Sequence, residues 1–187
     1  MNQRCKKQFQ RINVIGTSGS GKSTFSRKLS TILSIAHIEI DAIFWQPNWQ
    51  EPDEDIFFTK LSAEISSLSC WVLDGNYART IPIKWERVQV VIWLDYSFIR
   101  TVFQAIKRAI PGVFSQKELW AGTGNKETWR QLFSKDSIVL YTIKTHNKVR
   151  KKYKLFMLDK SYSHIEFVRL SLPKESEQFL NRIKELS

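Results

Sequence analysis

The sequence predicts an α/β fold in which a parallel β-sheet is covered by helices on both faces. Short apolar segments typical of buried strands alternate along the chain with longer segments whose apolar residues recur at helical spacing. A glycine-rich turn at residues 16–23 joins the first strand to the first helix. Three strands end at aspartates, which are Asp41, Asp74 and Asp95. Because ligands bind at the carboxyl ends of parallel strands, the turn and the aspartates predict a functional site at that edge of the sheet.

The individual elements follow from this alternation in chain order. Strands are predicted at 9–15, 37–40, 71–74, 88–94 and 164–170. The continuous apolar run 88–94 indicates a central strand that is buried on both faces. Helices are predicted at 22–33, 53–68, 98–110 and 136–153, and a last helix begins at Pro173. An aromatic loop follows the second strand, and the dipeptide Pro111-Gly112 is expected to end the third helix.

Composition limits the class of protein. The chain of 187 residues is expected to form one domain. Its formal net charge of +11 indicates an anionic partner, either the phosphates of a nucleotide or a nucleic acid. The two cysteines, Cys5 and Cys70, match no metal-binding spacing, and a reduced intracellular protein is the simplest interpretation. Since no signal peptide or membrane-spanning run is visible, we expect a cytoplasmic protein.

The glycine-rich turn matches the phosphate-binding pattern G-x-x-x-x-G-K-[ST] without a gap. Its glycines let successive backbone N–H groups point inward and form a nest for anions, and the dipole of the following helix adds to this effect. Lys22 is expected to reach the β- and γ-phosphates and to act in catalysis, and the Ser23 hydroxyl to bind Mg²⁺. A glycine- and serine-rich connector is the alternative. The residues predicted to bind the nucleotide are Gly16, Thr17, Ser18, Gly19, Ser20, Gly21, Lys22, Ser23 and Thr24.

The three aspartates have different predicted roles. Asp74 ends a hydrophobic run, as a Mg²⁺-binding aspartate does in nucleotide-binding proteins, although the pair Asp74-Gly75 is also a common turn. Asp41 precedes the aromatic loop, where it can accept the proton of an attacking hydroxyl, bind Mg²⁺ or cap the next segment. Asp95 is expected to cap the helix that follows it.

A basic segment between the fourth and fifth strands, at about 108–155, is predicted to form a lid over the phosphates. Phosphoryl transfer spreads negative charge over the γ-phosphate oxygens, so positioned arginines supply part of the catalysis. Arg108 is the first catalytic candidate, and a solvated surface charge is the alternative for any single basic residue here. Further candidate arginines and candidate glycine hinges are Arg130, Arg150, Gly112, Gly122 and Gly124.

Together these residues resemble the P-loop nucleoside and nucleotide kinases. More narrowly, the chain is similar to the adenylate-kinase-related group often labelled DNA topology modulation proteins, in 16–23, 41–49, 71–77, 91–95 and the basic segment before the last strand. The resemblance implies a P-loop kinase-type three-layer sandwich with a five-stranded parallel sheet and a helical lid, in a single domain over 1–187. It also implies ATP and Mg²⁺ as cofactors, and an acceptor-binding segment at about 41–70.

The acceptor site departs from the adenylate kinase pattern, in which arginines hold the phosphate of AMP. No arginine lies between Arg27 and Arg79, and Arg79 is displaced by one position from the family's arginine. The aromatic residues either pack in the core or stack on a small molecule, which favours a neutral hydroxyl acceptor such as a nucleoside over a mononucleotide. The residues predicted to bind the acceptor are Asp41, Phe44, Trp45, Trp49, Gly75, Asn76, Tyr77 and Arg79. The alternative function is a nucleotide-dependent regulator that binds DNA through its basic lid.

Overall fold

The computed structural model describes residues 9–115, 118–120, 122–126, 128 and 137–186. Five strands form one sheet in which all neighbours are parallel, in the order β2-β3-β1-β4-β5. The strands are β1 at Arg11–Gly16, β2 at Ala36–Glu39, β3 at Trp71–Asp74, β4 at Val90–Leu94 and β5 at Glu166–Leu170. The predicted α/β class and the five-stranded parallel sheet are therefore confirmed.

Seven α-helices connect or follow the strands in the described part of the chain. They are α1 at Lys22–Leu33, α2 at Ile40–Phe44, α3 at Glu54–Ser67, α4 at Ile81–Arg87, α5 at Phe98–Ser115, α6 at Ile138–Leu158 and α7 at Pro173–Glu185. Short 3-10 helices lie at Pro47–Trp49, Ala78–Thr80 and Lys160–Tyr162. Sequence periodicity did not predict α2 or α4, because elements of five and seven residues are too short to show a helical repeat.

The sheet separates two apolar layers, and side chains of the central strands alternate between them. Val91 and Trp93 of β4 join the layer that contains apolar residues of α3, α4 and α6. Val90 and Ile92 join the layer that contains residues of α1 and α7. Because both faces are covered, every residue of β4 is buried, which explains its continuous apolar sequence.

Two local predictions are wrong. Helix α5 does not end before Pro111-Gly112 but continues to Ser115. A proline inside a helix costs about 3 kcal/mol, so tertiary packing of α5 against α6 outweighs the local signal. Asp95 does not cap α5, because its buried carboxylate is ion-paired with Arg150 and Arg169.

Cys70 precedes β3 and is buried. It takes part in a disulfide bond, which contradicts the expectation of a reduced protein. The other cysteine, Cys5, lies outside the described residues. Within the described ranges, none of the helices combines the length and the apolar character that crossing a membrane requires.

Candidate functional site

The glycine-rich turn forms a tight loop between β1 and α1. Gly19 and Gly21 have φ angles of 81° and 84°, in the left-handed region that glycine adopts without strain. Gly19 also lies against α5, since a Cβ atom there would come within 2.7 Å of the Thr101 carbonyl oxygen and 2.9 Å of the Ala105 Cβ. Helix α1 begins at Lys22, directly after the loop, so its N-terminal N–H groups face the loop. The geometry is that of an anion-binding loop.

Lys22 interacts with charged residues from several elements of the site. Its Nζ donates a hydrogen bond to the Thr17 carbonyl oxygen at 3.3 Å. Burial lowers the pKa of Lys22, whereas the negative charges of Asp74 and Asp41 raise it and the positive charge of Arg108 lowers it further. These three groups therefore lie within electrostatic range of the lysine, although they come from three different elements. The charges of Asp41 and Arg108 thus act on Lys22, and the catalytic roles of these three residues stay predictions.

Asp74 and Ser23 form the candidate magnesium site. Burial raises the pKa of Asp74, and both the nearby Lys22 charge and a hydrogen bond with the Ser23 side chain oppose this shift. The Asp74 Oδ1 atom is buried and has no hydrogen-bond partner among the described residues. A buried carboxylate oxygen needs a partner, and one carboxylate, one hydroxyl and phosphate oxygens are a donor set that suits Mg²⁺. The residues present thus fit the ion.

Asp41 lies in the first turn of α2, at the end of β2. The Tyr77 hydroxyl donates to its Oδ1 atom at 2.8 Å. Burial, together with the Asp41 charge and this hydrogen bond, raises the pKa of Tyr77, so that the phenol stays protonated as the donor. Because α2 already begins at Ile40, Asp41 does not cap the helix, which removes one of its three alternative roles.

Two residues predicted to bind the acceptor are occupied by other contacts. Phe44 is 3% exposed and packs against Phe57 and Tyr77, with ring centroids at 5.0 and 4.9 Å. The Arg79 guanidinium lies 5.0 Å from the centre of the Phe44 ring and pairs with Glu54 at 3.7 Å. Phe44 therefore belongs to the core. Arg79 is exposed, and its role as a phosphate clamp stays a prediction.

Gly75 and Asn76 serve the architecture of the site. A Cβ atom at Gly75 would come within 2.9 Å of the Ile40 Cβ, so only glycine fits between β3 and α2. The side chain of Asn76 accepts a hydrogen bond from the Gly16 N–H at 2.9 Å and donates one to the Gly16 carbonyl oxygen at 2.6 Å. Its amide thus contacts the phosphate-binding loop, and a role in binding the acceptor stays a prediction.

Three partly exposed tryptophans form what we call the tryptophan cluster, which consists of Trp45, Trp49 and Trp120. Their ring centroids are 5.5 Å apart for Trp45 and Trp49, 5.8 Å for Trp49 and Trp120, and 6.4 Å for Trp45 and Trp120. Asn125 fastens the same contact, because its side chain donates to the Gln46 carbonyl oxygen at 2.9 Å and accepts from the Trp49 N–H at 3.0 Å. The aromatic loop after α2 is therefore in contact with Trp120 and Asn125.

No protein-family model matches the sequence, and no curated protein does. Among solved structures, the chain is similar to shikimate kinase from Acinetobacter baumannii in complex with shikimate. The TM-score is 0.58 with 15% identity, and the match covers 98% of this chain and 96% of that chain. The fold is that of a P-loop kinase. The narrower resemblance to DNA topology modulation proteins stays a prediction.

In this P-loop kinase fold, the predicted lid is anchored more firmly than its basic composition suggested. The Thr142 hydroxyl of α6 donates to the Ser18 carbonyl oxygen at 3.3 Å. Farther along α6, Arg150 lies 3.0 Å from the buried Asp95 carboxylate, which Arg169 also contacts. Gly122 and Gly124 keep left-handed φ angles of 82° and 67°, whereas Gly112 lies inside α5 and Arg130 lies outside the described residues.

Sequence reasoning missed two residues of this P-loop kinase fold that support the site. Lys84 of α4 is fully buried and donates to the carbonyl oxygens of Gly75 and Asn76, at 3.2 and 2.6 Å. Asn13 of β1 is fully buried and donates to Gly75 at 3.2 Å. Because α4 was not predicted, no pattern marked Lys84, but a polar Asn13 within the apolar β1 was a visible signal.

Proposed function

We propose that the protein is an ATP- and Mg²⁺-dependent phosphotransferase that acts on a hydroxyl group of a small molecule. The observation that carries the proposal is the convergence of Lys22, Ser23 and Asp74 at the phosphate-binding loop, with Asp41 opposite them on the neighbouring strand end. The similarity to a structure named a kinase supports the reaction class through the fold alone.

The roles of the residues follow from the chemistry of phosphoryl transfer. The acceptor oxygen attacks the γ-phosphorus, the bond from that phosphorus to the β,γ-bridging oxygen breaks, and ADP leaves. Asp41 takes the proton of the acceptor hydroxyl, with Tyr77 holding one carboxylate oxygen in place. Lys22 and Arg108 stabilise the negative charge that spreads over the phosphoryl oxygens. Bound at Ser23 and Asp74, Mg²⁺ supplies charge neutralisation at the phosphates.

A neutral hydroxyl acceptor suits this site better than a mononucleotide. Glu39 and Asp41 both raise the pKa of Asp74, so three carboxylates share this edge of the sheet. The sequence between Arg27 and Arg79 supplies no further arginine for an acceptor phosphate, and Arg79 itself lies over the Phe44 and Phe57 rings with Glu54 at 3.7 Å. Trp45 and Trp49 offer apolar surface for a ring of the acceptor.

The test is a screen for ADP formation from ATP and Mg²⁺ with nucleosides, mononucleotides and small polyols as acceptors. Lys22→Ala is expected to lower acceptor-dependent turnover by about 100-fold or more, because it removes a charge that acts on the transferring group. Lys28→Ala, at an exposed position of the same helix, is the matched control and keeps full turnover. Full turnover in Lys22→Ala would refute the proposal.

Asp41→Asn separates the general base from ATP binding. The substitution keeps the size of the side chain but removes its basicity, so kcat is expected to fall by about 100-fold or more while the Kd of ATP changes less than about twofold. An unchanged kcat would exclude Asp41 as the base.

The alternative function is a nucleotide-dependent regulator that binds DNA, and the exposed lysines of α6 favour it. These are Lys144, Lys148, Lys151 and Lys152. The alternative predicts binding to a labelled DNA duplex that weakens about 1000-fold between about 50 and 200 mM salt. Acceptor-dependent ADP formation without binding of DNA at low salt would exclude it.

A further inference from the structure

We infer that Lys84 and Asn76 are positioning residues that hold the phosphate-binding loop in its binding geometry from the end of β3. The inference rests on the proposed function, because it assigns to these residues an effect on ATP binding. In the described part of the chain, the hydrogen bonds of both side chains go to the backbone that carries the site.

The first link is the amide of Asn76. It pairs with both backbone groups of Gly16, the residue at which β1 ends and the loop begins. Two hydrogen bonds from one planar group fix the position and the orientation of the Gly16 peptide units. Every later N–H group of the loop depends on that starting orientation, because the chain leaves the sheet at this residue.

The second link is the amino group of Lys84. Its Nζ lies 2.6 Å from the Asn76 carbonyl oxygen and 3.2 Å from that of Gly75, and the Tyr153 hydroxyl donates to the same Asn76 oxygen at 3.3 Å. These bonds fix the backbone that carries the side-chain amide of Asn76. Lys84, Asn76 and Gly16 therefore form a continuous chain of hydrogen bonds from α4 to the phosphate-binding loop.

Packing alone does not account for a lysine at position 84. The side chain is 0% exposed, and its described hydrogen bonds go to main-chain carbonyl groups. A methionine of similar length would fill the same space without the desolvation of an amino group. What only the amino group supplies is hydrogen-bond donors to two successive carbonyl groups, and that is the contact the phosphate-binding loop depends on.

The hydrogen bonds of Lys84 also affect the position of Asp74, the candidate metal ligand. Asp74, Gly75 and Asn76 are consecutive, so fixing the last two also fixes the Asp74 backbone beside Ser23. A misplacement of about 1 Å in such a site can lower the rate by about 100-fold. Loosening the Lys84 contact thus acts on ATP and on the metal side together, without touching the acceptor loop.

The experiment compares Asn76→Ala and Lys84→Met with wild type by two measurements. Equilibrium dialysis gives the Kd of ATP with Mg²⁺, and NMR-detected hydrogen exchange gives the protection of the Gly16 amide in the ligand-free protein. Each variant is expected to bind ATP about tenfold more weakly and to exchange the Gly16 amide about tenfold faster, with the KM of the acceptor changed less than about twofold.

The control is Ser176→Ala in α7, at a position that is 5% exposed in wild type. This variant loses the hydrogen bond between the Ser176 Oγ atom and the Tyr96 hydroxyl, which is 2.6 Å long, and is expected to lose stability but keep both the Kd of ATP and the Gly16 protection. Folded variants at positions 76 and 84 with unchanged Kd and unchanged protection overturn the inference. If Lys84→Met does not fold, Asn76→Ala at its half-buried position decides the outcome. If wild type does not bind ATP, the proposed function fails. The hydrogen exchange of the Gly16 amide still tests whether Lys84 and Asn76 hold Gly16 in place.

Discussion

The buried Lys84 predicts an unusual dependence of stability on pH. Burial, with a smaller contribution from the positive charge of Lys152, lowers the pKa of Lys84 from 10.5 to about 7 in the folded protein. The unfolded chain keeps the proton up to the ordinary pKa. Between pH 7 and 10.5 the unfolded state therefore binds more protons than the folded state, and stability rises with pH. Below pH 7 both states are protonated and this contribution to the slope vanishes.

The magnitude follows from the two pKa values. Each pH unit in which only the unfolded state is protonated adds about 1.4 kcal/mol to the free energy of unfolding. Because Lys84 is half-deprotonated at pH 7, the rise between pH 7 and 9 amounts to about 2 kcal/mol. Burial raises the pKa values of Tyr77 and Tyr153, which lowers stability only above about pH 10, where the unfolded phenols ionise. The interval from pH 7 to 9 is therefore free of their effect.

The assay is urea unfolding of wild type and Lys84→Met at pH 7, 8 and 9. The difference between the two free energies of unfolding is expected to change by about 2 kcal/mol across this interval, in favour of wild type at the higher pH. Lys60→Met removes an exposed lysine of α3 and is expected to give a curve parallel to wild type. Parallel curves for wild type and Lys84→Met would refute the reasoning that Lys84 is buried with a lowered pKa.

Three further variants test separate parts of the site. Asp74→Asn is expected to raise the Mg²⁺ concentration needed for half-maximal turnover at least about tenfold, and an unchanged Mg²⁺ titration would contradict a role at the metal. Arg108→Ala is expected to lower kcat by about 100-fold with little change in the Kd of ATP, and a loss confined to the Kd would show ground-state binding only. Trp120→Phe shrinks the tryptophan cluster and is expected to raise the KM of the acceptor a few-fold while the KM of ATP stays constant; the opposite pattern would place Trp120 beside the nucleotide.

The sequence predicted the parts of the fold that depend on local patterns. The strand β3 has its predicted bounds, and α1 begins and ends as expected, because apolar runs and glycine turns are encoded by neighbouring residues. The predicted meeting of Lys22, Asp41 and Asp74 followed from one rule, that parallel strands end at the same edge of the sheet. Such a rule places a residue at one edge of the sheet, but it does not predict which residues its side chain contacts.

The contacts that the sequence did not show join segments that are distant along the chain. Phe44 and Arg79 are suitable residue types for an acceptor site, but Phe57 and Glu54 of α3 engage them. Asn76 also has the right chemistry for ligand binding, yet its partner is Gly16, 60 residues away. The sequence shows which kinds of group a side chain can bind. The partners of Phe44, Arg79 and Asn76 become visible only when α3 and the phosphate-binding loop are packed around them.

The anchoring of α6 changes the interpretation of the predicted lid. Thr142 is bound to Ser18 of the phosphate-binding loop, and Arg150 to the buried Asp95 at the end of β4, so this helix is attached to the rigid part of the fold. Another part of the predicted lid contacts the acceptor side. Within it, the described residues 118–120 and 122–126 contact the aromatic loop through the tryptophan cluster and Asn125. Because those contacts go to the loop expected to bind the acceptor, we expect acceptor binding, more than ATP binding, to change the environment of these tryptophans.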